Sequence, residues 1–184
     1  LKTTAAILSI IDTVDNIVSN ITALQAAAKA KSINSITILA PLTGTSKPQL
    51  SITAAQFKAS PELLAIIKGD YDLIITDVAA SDLGSVTKNA EKLLKASGSP
   101  STQLKIAICD NAVNLVKSIA ALEIEAKAGR LTSVVVSDSK ALVLTEAQIK
   151  TYTNFLTMQF ATKTNIEVTA VAAADVLSVQ SLVN

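Results

Sequence analysis

The stretch "IIDTVDNIVSNITALQAAAKAKSINSITI", residues 10–38, aligns without a gap on "ICDNAVNLVKSIAALEIEAKAGRLTSVVV", residues 108–136. Asp12 falls on Asp110, Asn16 on Asn114, Ile21 on Ile119, Leu24 on Leu122 and Lys29 on Lys127, an offset of 98 residues each time (110 − 12). The likeness resumes at "LSITAAQF" (50–57) and "LVLTEAQI" (142–149), with a shorter connection in the second copy. "IITDVAASDLGSV" (74–86) opens like a third, degenerate copy, keeping the strand-end Asp but carrying Ser81 where the others have Asn. "IEVTAVAAADVLSV" (166–179) reads as a further strand and helix start. Such self-similarity is the mark of an array in which each unit buries its apolar side against its neighbours. One repeat-built domain over 1–184 is expected, with units at about 8–70, 71–105, 106–164 and a partial one at 165–184.

Hydrophobic periodicity assigns the fold class. Short β-branched runs at "ITIL" (36–39), "LIIT" (73–76), "KIAIC" (105–109), "VVVS" (134–137) and "IEVT" (166–169) read as strands. Between them Ile17, Ile21, Leu24 and Ala28 line one helix face, and Leu83, Val86, Ala90, Leu93 and Leu94 a second. Leu115, Ile119, Leu122 and Ala126 line a third, and Ile149, Tyr152, Phe155 and Leu156 a fourth. Strands alternating with helices predict an α/β fold of repeated βα units with a parallel sheet. Ile106 and Ile108 alternate with Lys105 and Ala107, and Ile36 and Ile38 with Ser35 and Thr37. A sheet covered on both faces reads as a continuous apolar run, as "LIIT" and "VVV" do. On balance an α/β solenoid is favoured over a doubly wound open sheet.

Helix starts carry their own chemistry. "TAAQ" (53–56) and "TEAQ" (145–148) are capping boxes, in which the Thr hydroxyl accepts from the third amide and the Gln side chain reaches back. "SPEL" (60–63) places Ser60 at a cap, Pro61 at the first helical position and Glu62 in the first turn, with Lys68 and Gly69 closing that helix.

Composition narrows the function. Hydrophobic residues make up 49% of the chain, but aromatics only 3%, so the expected core is Ile, Leu, Val and Ala in regular layers rather than an aromatic-lined pocket. A net charge of +1, with Arg130 as the sole arginine, leaves no footprint for nucleic acid. Cys109 stands alone in an apolar strand and is expected to act as a small hydrophobe. Polar residues interrupt every apolar run, so no transmembrane segment, membrane insertion or signal peptide is expected. Opening on Leu1 is what a piece cut or processed from a longer protein would do.

The chain has no histidine, which removes Ser–His and Cys–His pairs, His metal sites and the commonest general base. "PLTGTSKP" (41–48) lacks the first glycine of a phosphate loop and runs into Pro48, so a surface loop is expected there. The recurring polar feature is the strand-end aspartate: Asp12, Asp77 and Asp110. That edge of an open α/β sheet is where ligands bind, so a weak alternative makes these three a row of metal or substrate ligands. The favoured reading is structural. Each Asp ends its strand in an Asx-type turn and supports the next helix's amides, while Asn16 and Asn114 link adjacent coils through backbone hydrogen bonds. D-x-x-x-N supplies too few oxygens for calcium. No catalytic residue, cofactor or metal is expected.

Taken together, "IIDTVDNI", "INSITIL", "LSITAAQF" and "ELLAIIKGDYDLIITDVAAS" resemble a degenerate repeat array of large secreted bacterial proteins. Asp12, Thr13, Asn16 and Ile17 match its D-T-A-A-N-I helix start, Thr53, Ala55 and Gln56 its L-T-V-x-A-Q segment, and Tyr71, Leu73 and Asp77 its repeat junction. Asn111 and Val78 stand where that pattern has Thr. The resemblance implies a non-enzymatic structural or adhesive segment of an exported cell-surface or surface-layer protein. Its partners would be protein or glycan surfaces or neighbouring repeats of a longer chain, with no nucleic acid among them. The alternative is a small α/β ligand-binding domain or enzyme with its site at the C-terminal strand ends.

Overall fold

The computed structural model describes residues 7–39, 47–97, 103–158, 160 and 164–183. In chain order these form β1 (Leu8–Asp12), α1 (Val14–Ser19), α2 (Ile21–Lys29), β2 (Ile33–Ile38), β3 (Gln49–Thr53), α3 (Ala54–Ala59), α4 (Pro61–Ile66), β4 (Ile67–Lys68) and β5 (Asp72–Val78). A 3-10 turn at Ala80–Asp82 leads into α5 (Leu83–Ser97). There follow β6 (Leu104–Asp110), α6 (Ala112–Lys117), α7 (Ile119–Lys127), β7 (Leu131–Val136), β8 (Leu142–Thr145), α8 (Glu146–Thr151), α9 (Thr153–Leu156) and β9 (Ile166–Thr169). A second 3-10 turn at Ala173–Asp175 leads into α10 (Val176–Val183). The fold is mixed α/β with parallel strand pairing.

The chain forms two compact units: residues 1–75 with 87–104, and 76–86 with 105–184. In the first, β1, β2 and β4 hydrogen-bond in that order, all in parallel. α2 packs on α4, and α1 on β3. Asp72 N–H donates to Pro48 C=O at 2.8 Å where β5 starts beside β3. The core holds Ile17, Ile21, Ile36, Leu50, Ile52, Leu63, Leu64 and Leu73, and the first five of these are apolar in both aligned copies. Phe57 and Tyr71 are buried too, so the few aromatics contribute to a core otherwise made of aliphatic side chains.

The second unit reproduces this plan. β6 and β7 pair in parallel, α7 packs on α9, and α6 on β8. Phe160 makes an isolated parallel bridge to Val134, as Ile67 of β4 pairs with Ile36 in the first unit. Its ring meets that of Phe155 edge-on, centroids 5.6 Å apart. β8 and β9 pair in parallel through Leu142–Thr145 and Ile166–Thr169.

Backbone detail repeats as well. The β1–β2 register slips between Leu8 and Ser9, and the β6–β7 register between Ile106 and Ala107. Leu8 N–H donates to Ser32 C=O and Ile106 N–H to Arg130 C=O. Leu39 N–H donates to Asp12 C=O and Ser137 N–H to Asp110 C=O, both at 2.8 Å. After α2 the chain turns through Lys31 at φ +57°, and after α7 through Gly129 at φ +67°. Residues 72–86 and 165–179 match in the same way. Asp77 and Ala170 both have positive φ, and each precedes a 3-10 turn that hands over to a helix.

Several expectations change. The first, third and fourth helical faces each belong to two short helices rather than one. α1 gives way to α2 at Asn20 and α6 to α7 at Ser118, where ψ rises to 15° and 9°. The Asn20 side-chain amide also donates to Asn16 C=O at 2.9 Å, the local competition that makes Asn and Ser poor helix-interior residues. α8 and α9 break at Tyr152. The stripe of Leu83, Val86 and Ala90 does lie on the single helix α5. The strand expected at "ITIL" (36–39) is β2, which starts earlier, at Ile33, and ends at Ile38, leaving Leu39 outside it. Lys68 and Gly69 do not close α4. That helix ends at Ile66, Ile67 and Lys68 pair with β2, and Gly69 (φ +115°) turns after the strand.

Candidate functional site

The strand-exit joints concentrate the recurring polar chemistry. In the first unit, one Asp12 carboxylate oxygen accepts from Thr13 N–H at 2.8 Å and from the Asn16 side-chain amide at 2.7 Å. Thr13, extended at φ −73°, caps α1 by accepting from Asn16 N–H at 3.4 Å. These hydrogen bonds, the Asn16 amide first, hold the Asp12 carboxyl below its ordinary 3.8. In the second unit Asp110 accepts from Asn111 N–H and from the Asn114 side-chain amide, both at 2.8 Å, and Asn111 caps α6 by accepting from Asn114 N–H at 2.9 Å. The cap residues are therefore Thr13 and Asn111, not the aspartates. Asn16 and Asn114 fasten their own joint rather than linking coils.

The link to a neighbouring element is made by an aspartate instead. The second Asp110 oxygen accepts from Ala80 N–H at 2.9 Å, tying the end of β6 to the 3-10 turn after β5. Asp138 adds a further tie by accepting from Ala112 N–H at 3.1 Å, chiefly for which reason its carboxyl lies below the usual 3.8. Asp77 belongs to a different joint. It sits at φ +55°, contacts Thr76 Oγ1 at 3.4 Å, and the turn after it has no side-chain cap. The segment it opens is the counterpart of 165–179 and not a third copy of the Asp12 joint.

Asp12 lies in one unit, and Asp77 and Asp110 in the other. Among the described residues no group of three or more His, Cys, Asp or Glu side chains is placed to hold a metal ion. Cys109 is half-buried and free. Burial pushes the Tyr71 phenol up to about 12. Of the "PLTGTSKP" loop, residues 41–46 lie outside the described residues; Lys47 pairs with Asp70 at 3.1 Å. No helix among the described residues is long and apolar enough to cross a membrane.

Two polar residues that the sequence did not single out hold the helix pairs together. Ser60 occupies the cap position of α4 but makes no side-chain cap bond. Gln25, reaching over from α2, accepts from Leu63 N–H at 2.9 Å and donates to Glu62. Its counterpart Glu123 on α7 accepts from Phe155 N–H at 2.8 Å and from the Asn154 side chain at 2.6 Å, so it caps α9. Burial raises the Glu123 carboxyl, but those hydrogen bonds outweigh it and hold the pKa below the ordinary 4.5. The signal lies in the repeat alignment, where Gln25 falls on Glu123. Its purpose shows only once α2 meets α4 and α7 meets α9.

One concavity is mainly apolar. A groove of about 530 Å³ in the second unit is lined by Val113 and Val116 of α6, Ala141, Val143 of β8 and Glu167 of β9. Lys117 and Lys140 also line it. Comparison with protein-family models, curated proteins and solved structures finds no match.

Proposed function

We propose that this chain is a non-enzymatic repeat segment of a bacterial extracellular protein, serving as a stalk, a surface layer or an adhesive surface. The observation that carries the reading is the duplication of the Asp–Asn joint, bond for bond, at Asp12–Asn16 and Asp110–Asn114. A binding site places its polar groups once, toward a ligand. Here the same polar groups are placed twice and spend their hydrogen bonds on the neighbouring backbone. Repetition of a structural joint is what an array needs, since each unit must present the next with the same surface. An α/β solenoid is the architecture this favours. It is supported by parallel pairing of β1 with β2 and of β6 with β7, strands joined in each case by a crossover of two short helices. The resemblance to secreted bacterial repeat arrays, carried by Asp12, Thr13, Asn16, Thr53, Gln56 and Tyr71, is what supports that location and class of partner.

Antibody raised against the chain, applied to intact cells of the organism that encodes it, tests this. Labelling of unbroken cells is expected. Signal that appears only after lysis would overturn the reading.

A further inference from the structure

β1 and the β9–α10 segment are complementary edges, and the geometry points to head-to-tail docking of a second copy, with β9 and α10 of one copy seated on β1 of the next. This rests on the repeat-array reading above and specifies its interface. The chain holds its own template, because β5 and β6 are hydrogen-bonded neighbours. Leu73 N–H donates to Gln103 C=O at 2.9 Å where the two strands start, and Ala80 N–H donates to Asp110 at 2.9 Å where they end.

β6 is the counterpart of β1, and β5 that of β9. Among the described residues β1 has a strand neighbour only on its β2 side, and β9 only on its β8 side. Leu8 N–H and Asp12 C=O turn toward β2, so by the alternation of a strand the backbone groups of Ser9 and Ile11 turn to the bare edge. Asn165 C=O serves β8, which likewise leaves Ile166 and Val168 directed outward. Ile166 is the counterpart of Leu73, which makes the template bond.

Burial follows the same division. Ile106 on β6 is 0% exposed, whereas its counterpart Leu8 is 56% exposed. Leu83 at the start of α5 is 0% exposed, whereas its counterpart Val176 on α10 is 49% exposed. Among the described residues each edge thus lacks the neighbour that its counterpart has, and each carries what the other lacks. In the docked pair Ala173 N–H takes the place of Ala80, and Asp12 of the second copy that of Asp110. The contact is heterologous, since different patches meet, so a docked pair still offers a free β1 edge on one copy and a free β9–α10 edge on the other.

Sedimentation velocity across a concentration series reads it. The chain should associate into species larger than a dimer. Leu8→Lys blocks the β1 end and Val176→Lys the α10 end. Both side chains are exposed in the single copy, so circular dichroism and thermal midpoint should hold. Each variant alone should associate about a hundredfold more weakly, as an uncompensated charge in an apolar contact requires. Mixed in equal amounts, the free tail of Leu8→Lys meets the free head of Val176→Lys, and a dimer that grows no further should form. A wild-type chain that stays monomeric at high concentration overturns the interface, as does a mixture of the folded variants that fails to dimerise. Either failure leaves surface labelling of intact cells unaffected, and absent labelling leaves the dimer unaffected.

Discussion

The side-chain amide of Asn114 donates to the Asp110 carboxylate at 2.8 Å, closing the turn from β6 into α6 across four residues. The same carboxylate also takes the amides of Asn111 and Ala80. Asp12 makes the first two of these bonds but has no counterpart of the Ala80 contact among the described residues. Asp110→Ala should therefore cost about 2 kcal/mol, by stranding amides that had a charged acceptor, and Asp12→Ala should cost less. Urea denaturation of the two variants checks the order.

The turn after α2 uses Lys31 at φ +57°, where the turn after α7 uses Gly129 at φ +67°. A side chain in the left-handed region is strained, and glycine removes the strain. Lys31→Gly is expected to stabilise the chain by about 0.5–1 kcal/mol, and Gly129→Ala, whose Cβ would meet no neighbour within 4 Å, to destabilise it by about 1 kcal/mol. Thermal midpoints that move in opposite directions would bear this out.

Glu123 links stability to pH. Its folded pKa lies below the ordinary 4.5, so its contribution is present above that value and disappears as pH falls through the lower folded pKa. Glu123→Gln, which puts into the second unit the residue that Gln25 provides in the first, should be less stable than wild type at pH 7. The gap should narrow steadily below pH 4.5. A gap that stays constant with pH would mean that the carboxylate form of Glu123 is not what caps α9.

Much of this was legible in the sequence, because local chemistry wrote it. Thr53 and Gln56, and Thr145 and Gln148, form the two expected capping boxes, since every atom involved lies within four residues. Ile166–Thr169 is a strand as its β-branched pattern predicts. The failures occur where partners are distant or where one residue tips the backbone. Periodicity runs smoothly through Asn20 and Ser118, because a helix broken by a single residue keeps its apolar stripe nearly in phase. The capping of α4 by Gln25 depends on a residue 38 positions away, which no local rule for Ser60 includes. Asp77 looked like Asp12 because both sit near a strand end; the positive φ that separates them is invisible in composition.

The Asp12 and Asp110 carboxylates are fastenings whose lone pairs serve the protein's own amides. Calorimetric titration of the folded chain with calcium tests this most directly. No saturable heat is predicted for the wild-type chain, and no rise in thermal midpoint. Stoichiometric binding that vanishes in Asp12→Asn or Asp110→Asn, with both variants still folded, would make the joints a ligand site rather than fastenings.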